Sequence, residues 1–366
     1  MRRTLGAGTV LLLALTAACT AAEPRSAPAP ETSASSAPAS PASPTSSGSA
    51  AATAAPSPSP RPSATPTPTP SPTKKPDPIS MAALEQRTYD GRDLRVGRSL
   101  GDVGPYERFL VTYRGDGLTI SGVMAVPDGK GPFPVLVLNH GYIDPRSYFP
   151  GQGMPREMDY LARQGYVVLH TDYRDHAGSD RDDDVDHQLR LPYTVDTINA
   201  VRAVKRSKLR YLDGDRVGWL GRSMGGEVTL RALAAQPGLV DAAVVYASTS
   251  SLAADNWEQF YRGDGDRAAT NRKIDRTYGL PDDNPAFWRR ASARSAFDRV
   301  TEPVLVHHGT EDDTCPPRWA RATVDALEDE GVDVTLRMYE GEGHTFEGQW
   351  QRSIERTEAF FAEHLD

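Results

Sequence analysis

The sequence predicts an α/β domain: a mostly parallel central sheet with an antiparallel N-terminal edge, helices on both faces, and a helical insertion before a late strand. Three observations predict it. From residue 134 onward, short apolar runs alternate with stretches of helical periodicity, the pattern of parallel strands joined by crossover helices. Before them, two β-rich runs meet at Gly115-Asp116-Gly117, strong turn chemistry for an antiparallel hairpin. Between the strands, residues 249–299 form an interval too long for a plain loop, and with Trp257, Phe260, Tyr261 and Trp288 it reads as a helical insertion over the strand ends.

The segments ahead of the domain have other chemistry. Residues 1–19 carry Arg2-Arg3, an apolar run at Val10–Leu15 and the small-residue exit Thr16-Ala17-Ala18-Cys19, the order of a secretion signal. The apolar run is too short for a permanent span, which needs roughly 18–20 apolar residues. Leu15-Thr16-Ala17-Ala18-Cys19 resembles a bacterial lipoprotein signal, so Cys19 is the expected lipidation site, with cleavage and plain secretion as the alternative; either places the domain outside the cell, in the envelope or beyond it. Residues 20–78 are almost wholly Ala, Pro, Ser and Thr and cannot bury enough apolar surface to offset the chain entropy lost on folding, so they read as a tether. The remainder, 79–366, suits one large α/β domain. The net charge of −8 argues against a nucleic-acid partner, and with two cysteines in the chain a lipidated Cys19 leaves Cys315 without a disulfide partner. No cofactor or metal is expected; the membrane enters only through the lipid anchor, and nothing in the sequence fixes the oligomeric state.

The elements follow in order. The hairpin strands are Tyr106–Arg114 and Leu118–Pro127. Pro134–Asn139 is an apolar strand ending in His140-Gly141, followed by helical periodicity through Met158, Leu161 and Ala162. Then come a strand at Tyr166–His170, a helix at Thr194–Val204, a strand at Arg216–Leu220, a helix at Met224–Ala235 and a strand at Val240–Ser248. After the insertion follow a strand at Pro303–His308, a helix at Arg318–Glu328, a strand at Val332–Tyr339 and a last helix at Trp350–His364. In such sheets ligands sit beyond the carboxyl ends of the strands.

The chemistry concentrates at those ends. Gly221-Arg222-Ser223-Met224-Gly225 lies where a strand stops and a helix starts, the setting in which a sharp turn lifts a serine hydroxyl above the sheet of an α/β-hydrolase. A serine hydroxyl needs a base, and the base needs a carboxylate to fix its tautomer. His344 is the expected base because Gly341-Glu342-Gly343-His344 forms a glycine-rich loop directly after the last strand. His307 and His308 lie within a strand and at its end, where packing explains them, and His364 sits at the frayed C-terminus. For the acid, Glu311, Asp312 and Asp313 compete in one loop, and periodicity does not choose among them. The oxyanion donors expected are the backbone amides of Met224 and Tyr142, with His140 a structural loop residue.

The His140-Gly141 loop, Gly221-Arg222-Ser223-Met224-Gly225-Gly226, His308-Gly309-Thr310-Glu311-Asp312-Asp313-Thr314-Cys315-Pro316-Pro317 and Gly341-Glu342-Gly343-His344 resemble the catalytic domain of the prolyl oligopeptidase family, serine peptidase family S9, over most of 118–365. The resemblance implies an α/β-hydrolase fold, Asp312 as the acid, and hydrolysis of short peptides through an acyl-enzyme; a carboxylesterase acting on small acyl esters is the alternative, and a tethered binding protein without catalysis a remote one. Members of that family carry a β-propeller, for which the roughly 40 residues between tether and core are too few. The acidic run Asp180–Asp186 lacks the glycine and closing glutamate of a calcium loop and reads as a solvated acidic loop. Asp172–Gly178 reads as structural.

Overall fold

A computed structural model describes residues 75–365. The signal segment 1–19 with Cys19, and residues 20–74 of the tether, lie outside the described residues. What is described belongs to one compact unit.

Among the described residues, nine strands form one sheet in the order β1-β2-β3-β5-β4-β6-β7-β8-β9. They are β1 (Arg92–Asp102), β2 (Tyr106–Gly115), β3 (Leu118–Pro127), β4 (Phe133–Asn139), β5 (Val167–Thr171), β6 (Leu212–Arg222), β7 (Ala242–Tyr246), β8 (Val304–Gly309) and β9 (Val334–Tyr339). The pairs β1–β2, β2–β3 and β3–β5 are antiparallel and the remainder parallel. The helices are α1 (Met81–Gln86), α2 (Pro155–Arg163), α3 (Leu191–Lys205), α4 (Met224–Ala235), α5 (Ala253–Phe260), α6 (Ala268–Tyr278), α7 (Pro285–Ala291), α8 (Pro317–Asp329) and α9 (Trp350–His364).

Central strands are largely apolar and buried at nearly every position because both faces of the sheet are covered. Along β4, Val135 and Val137 enter one core with Val195 and Ile198 of α3, Leu230 of α4 and Leu327 of α8, whereas Leu136 and Leu138 enter another with Met158 and Leu161 of α2 and Ile354 and Phe361 of α9. The chain leaves β4 for β5 on one side and returns to β6 on the other, so the carboxyl ends of β4 and β6, with Asn139 opposite Gly221, form the crevice where a ligand site is expected.

The interval 249–299 is helical: α5, α6 and α7, then a 3₁₀ turn at Ala293–Arg299. Trp257 and Trp288, both nearly fully buried, pack with ring centroids 5.5 Å apart. Two elements have no counterpart in the sequence reading. Strand β1 is mostly exposed, so it carries no apolar alternation and exists through its pairing with β2. Helix α1 has only six residues, started by the Ser80 side chain accepting from the Ala83 amide. Strand β6 begins earlier than expected because Leu212 and Asp213, ahead of the apolar run, pair with Phe133 and Pro134.

The acidic run is largely exposed, as its composition implies, but three of its carboxylates form close ion pairs. Asp182 bonds Arg174 at 2.9 Å, Asp184 bonds Lys273 at 2.7 Å and Asp186 bonds Arg190 at 2.8 Å, while Asp180, Asp183 and Asp184 are exposed. Arg174 and Arg190, which flank the run in sequence, and Lys273 of α6 take up these charges. The loop of Asp172–Gly178 is structural: Asp172 accepts from Ser121, Tyr148 and the Gly151 amide, and Arg174 is clamped by Asp196 at 2.7 Å.

Candidate active site

Ser223 stands between β6 and α4 with φ 56° and ψ −124°, a conformation that costs a non-glycine residue on the order of 1–3 kcal/mol and is held only where its surroundings over-determine it. Here they do. The Ser223 amide donates to the Tyr246 carbonyl at 2.9 Å, and the Ser223 carbonyl accepts from the Gly226 amide at 2.9 Å and the Thr249 amide at 3.2 Å. The turn closes against backbone: a Cβ on Gly225 would lie 1.9 Å from the Asn139 oxygen, and one on Gly221 would lie 2.2 Å from the Gly225 oxygen.

The loop after β4 crosses directly over the serine. A Cβ on Gly141 would sit 3.0 Å from Ser223 Cβ and 3.5 Å from its Oγ. The amides of the residues that follow Gly141 and Ser223, Tyr142 N–H and Met224 N–H, donate to no acceptor among the described residues. His140 is fully buried, with Nδ1 2.7 Å from the Gly141 carbonyl oxygen and Nε2 3.4 Å from that of Asp172. Burial, with His170 and His176 nearby, pushes its pKa down to about 3, so the ring is neutral and serves the loop.

Asp312 and His344 meet although their strands end 30 residues apart at Gly309 and Tyr339. A Cβ on Gly309 would lie 2.1 Å from the Glu342 oxygen, and the Glu311 amide donates to that oxygen at 2.9 Å, so the loops after β8 and β9 lie against each other. His344 Nδ1 is 2.9 Å from Asp312 Oδ2. The other carboxylate oxygen accepts from the Thr314 amide at 3.0 Å and the Cys315 amide at 2.8 Å. Burial opposes ionisation of Asp312, but the hydrogen bonds from His344 and Cys315 outweigh it and hold the carboxyl below its usual range. Asp313 bonds only Thr314, and Glu311 is exposed. The side chain of Cys315, buried by the same loop, lies against the Ser223 hydroxyl. Ser223, Asp312 and His344 therefore share one end of the sheet. His307 is engaged elsewhere, with Nδ1 2.7 Å from the Tyr339 hydroxyl and Nε2 3.1 Å from Thr357 Oγ1; His308 Nε2 lies 2.8 Å from the Cys315 oxygen; His364 packs on Phe360 at the end of α9.

Sequence reasoning missed a second layer. Arg222, read as the variable position of the pentapeptide, bonds buried Glu157 of α2 at 2.8 Å and donates to the His344 carbonyl at 3.1 Å. It thus ties the histidine loop to the residue preceding the serine. The signal was a carboxylate at position 157 beside the apolar stripe of Met158 and Leu161. A cavity of about 120 Å³ opens beside Ser223, walled by Trp257, Phe260, Tyr261 and Trp288 of the insertion together with Arg190 and Glu227.

Comparison with known proteins fits this geometry. Residues 153–366 match the prolyl oligopeptidase family. An uncharacterized peptidase of Bacillus subtilis, YuxL, is 26% identical over 273 residues, covering 68% of this chain and 38% of its own length; the chain thus spans well under half of that relative. Acetyl xylan esterase from Paenibacillus sp. R4 superposes with a TM-score of 0.59 at 20% identity, over 78% of this chain and 92% of its own. Acylaminoacyl peptidase of Pyrococcus horikoshii does so with a TM-score of 0.55 at 21% identity, over 72% and 42% respectively. These structural likenesses show the α/β-hydrolase fold. The family match takes in more than half of the chain, including the serine turn, the acid loop and the histidine loop: the chain belongs to the prolyl oligopeptidase family, peptidase family S9.

Proposed function

We propose that the domain is a serine hydrolase working through an acyl-enzyme, acting on short peptides. What supports this is a strained serine turn, a histidine–aspartate hydrogen bond at the same end of the sheet, and two amides, on the residues that follow Gly141 and Ser223, with no acceptor among the described residues. Ser223 Oγ attacks the substrate carbonyl as His344 Nε2 takes its proton, and Asp312 holds the Nδ1 proton and balances the imidazolium. The Tyr142 and Met224 amides receive the oxyanion without reorganising. His344 then protonates the departing amine, and water, deprotonated by the same imidazole, releases the acyl group.

Peptide substrates are favoured by the family. A carboxylesterase is the second reading, supported by the small cavity, about 120 Å³, against the ~300–1,000 Å³ of sites that enclose drug-sized ligands. Aminoacyl p-nitroanilides set beside short p-nitrophenyl esters test the choice. A peptidase turns over the anilides as well as the intrinsically more reactive esters; turnover of esters alone would overturn the peptide reading. The first 19 residues support export with a lipid on Cys19, and a Cys19→Ala chain that stays with membranes as the unaltered chain does would remove the anchor.

A further inference from the structure

One side chain of the cavity has no part in the mechanism above. Arg190 precedes α3 at φ 57°, is 6% exposed, and lines the cavity with Ser223. Its Nε bonds Asp186 at 2.8 Å and its Nη1 lies 3.7 Å from the Met224 sulfur, one residue from the serine. Its Nη2 is buried and has no acceptor. Buried polar groups are nearly always hydrogen-bonded, so an orphaned guanidinium N–H requires an explanation.

Arg267, preceding α6, repeats the pattern. Its Nη2 bonds Asp264 at 2.6 Å, and its Nη1 is buried without an acceptor. Both guanidinium groups cover the same two rings: Arg190 lies 4.2 Å from the Tyr142 centroid and 5.0 Å from that of Tyr261, and Arg267 lies 5.0 and 5.4 Å from them. Stacking holds each planar fork while leaving its N–H groups free for an acceptor. The carboxylate of the wall, Glu227, is countered by Arg231 at 2.5 Å and accepts from the Thr249 hydroxyl at 3.4 Å, although its Oε1 also makes no hydrogen bond. A cationic ligand would meet three guanidinium groups here, whereas an anion supplies what two of them lack.

We propose that this cavity is a carboxylate-binding subsite, in which Arg190 and Arg267 hold an acidic group on the acyl part of the substrate while Ser223 attacks its carbonyl. The substrate class is a peptide with glutamate or aspartate on the acyl side of the scissile bond, or a half-ester of a short dicarboxylic acid. The subsite deepens the serine-hydrolase reading and rests on it.

Two measurements test it separately from that reading. Calorimetry on the Ser223→Ala protein compares N-acetylglutamate with N-acetylglutamine, which differ only in the terminal group. The glutamate should bind at least tenfold tighter, keep most of that advantage as salt is raised because salt screens buried charge pairs far less than exposed ones, and keep less than a threefold advantage when Arg190→Met is added. Should that variant not fold, the less buried Arg267→Met takes its place. On unaltered protein, kcat/KM is compared for N-acetylglutamyl against N-acetylglutaminyl p-nitroanilide, and for p-nitrophenyl hydrogen glutarate against p-nitrophenyl pentanoate. The acidic member should lead by tenfold or more in at least one pair, and the pair in which it does identifies peptide or ester. Equal binding of the two N-acetyl amino acids, or an acidic preference unchanged in both arginine variants, overturns the subsite. Selective binding by a protein whose Ser223 resists acylation would sustain the subsite and remove the hydrolase.

Discussion

Replacing Asp312 by asparagine separates orientation of the histidine from everything else at the site. Two amides, Thr314 N–H at 3.0 Å and Cys315 N–H at 2.8 Å, point at one oxygen of Asp312. In Asp312→Asn that position keeps the amide oxygen, since an NH₂ there would face two donors. The NH₂ then faces His344 Nδ1, now 2.9 Å from a carboxylate oxygen. His344 must turn Nδ1 into an acceptor and carry its proton on Nε2, the tautomer that cannot take a proton from Ser223. Loss of the correct tautomer costs about 10⁴ in kcat in a serine protease, equivalent to about 5.4 kcal/mol at ~1.36 kcal/mol per tenfold. Stability should change little: the two amide bonds each weaken by about 1 kcal/mol when the acceptor loses its charge, and the neutral side chain no longer opposes burial. The assay is kcat on a short acyl p-nitrophenyl ester, beside urea unfolding to establish that the variant is folded. A drop of 10³–10⁵ with unfolding free energy within about 2 kcal/mol is expected, and Asp313→Asn should stay within threefold. A folded Asp312→Asn protein retaining more than a tenth of the activity would refute the assignment of the acid.

Three further predictions follow from the geometry. Gly225→Ala places a methyl 1.9 Å from the Asn139 carbonyl oxygen, a backbone clash that should cost about 3 kcal/mol or more, read from chemical unfolding; a loss under about 1 kcal/mol would mean the turn is not held against β4. Arg222→Gln removes the partner of Glu157, which is 1% exposed, and frees the His344 carbonyl; stability should fall by about 3–5 kcal/mol and kcat by more than KM changes, whereas an effect on KM alone would count against a positioning role. His140, His170 and His307 are buried, and burial above all pushes their pKa values down to about 3, about 4 and about 3. As pH falls below ~6.5 the unfolded chain takes up protons these rings refuse, so stability present above that pH is lost at about 1.4 kcal/mol per pH unit for each ring; urea midpoints should hold between pH 7 and 8 and fall steadily from 6.5 to 5, and a flat profile would mean the rings are not buried neutral.

The parallel strands were legible because burial on both faces writes them as unbroken apolar runs, and the serine turn because glycines at 221 and 225 are the residues that pass between β4 and α4. His344 was legible from its place after the last strand. The choice of Asp312 over its neighbours was not legible from spacing, because it depends on which of three adjacent carboxylates turns inward to meet the Cys315 amide and the His344 ring; it came from resemblance. Strand β1 was invisible because an exposed edge has no apolar face to display. Arg222, Arg190 and the pairing of the acidic run were hidden for one reason: a basic residue looks the same in sequence whether its charge lies free in solvent or is taken up in an ion pair, near in the chain as for Arg190 and Asp186 or distant as for Arg222 and Glu157.

The central claim is that Ser223 is the group that becomes acylated. Treating the folded protein with an active-site fluorophosphonate and locating the adduct by peptide mass tests it directly: one adduct is predicted, on the peptide containing Ser223, absent from Ser223→Ala and greatly slowed in His344→Ala. A folded protein that takes up no label, or a Ser223→Ala protein labelled to the same extent, would contradict it.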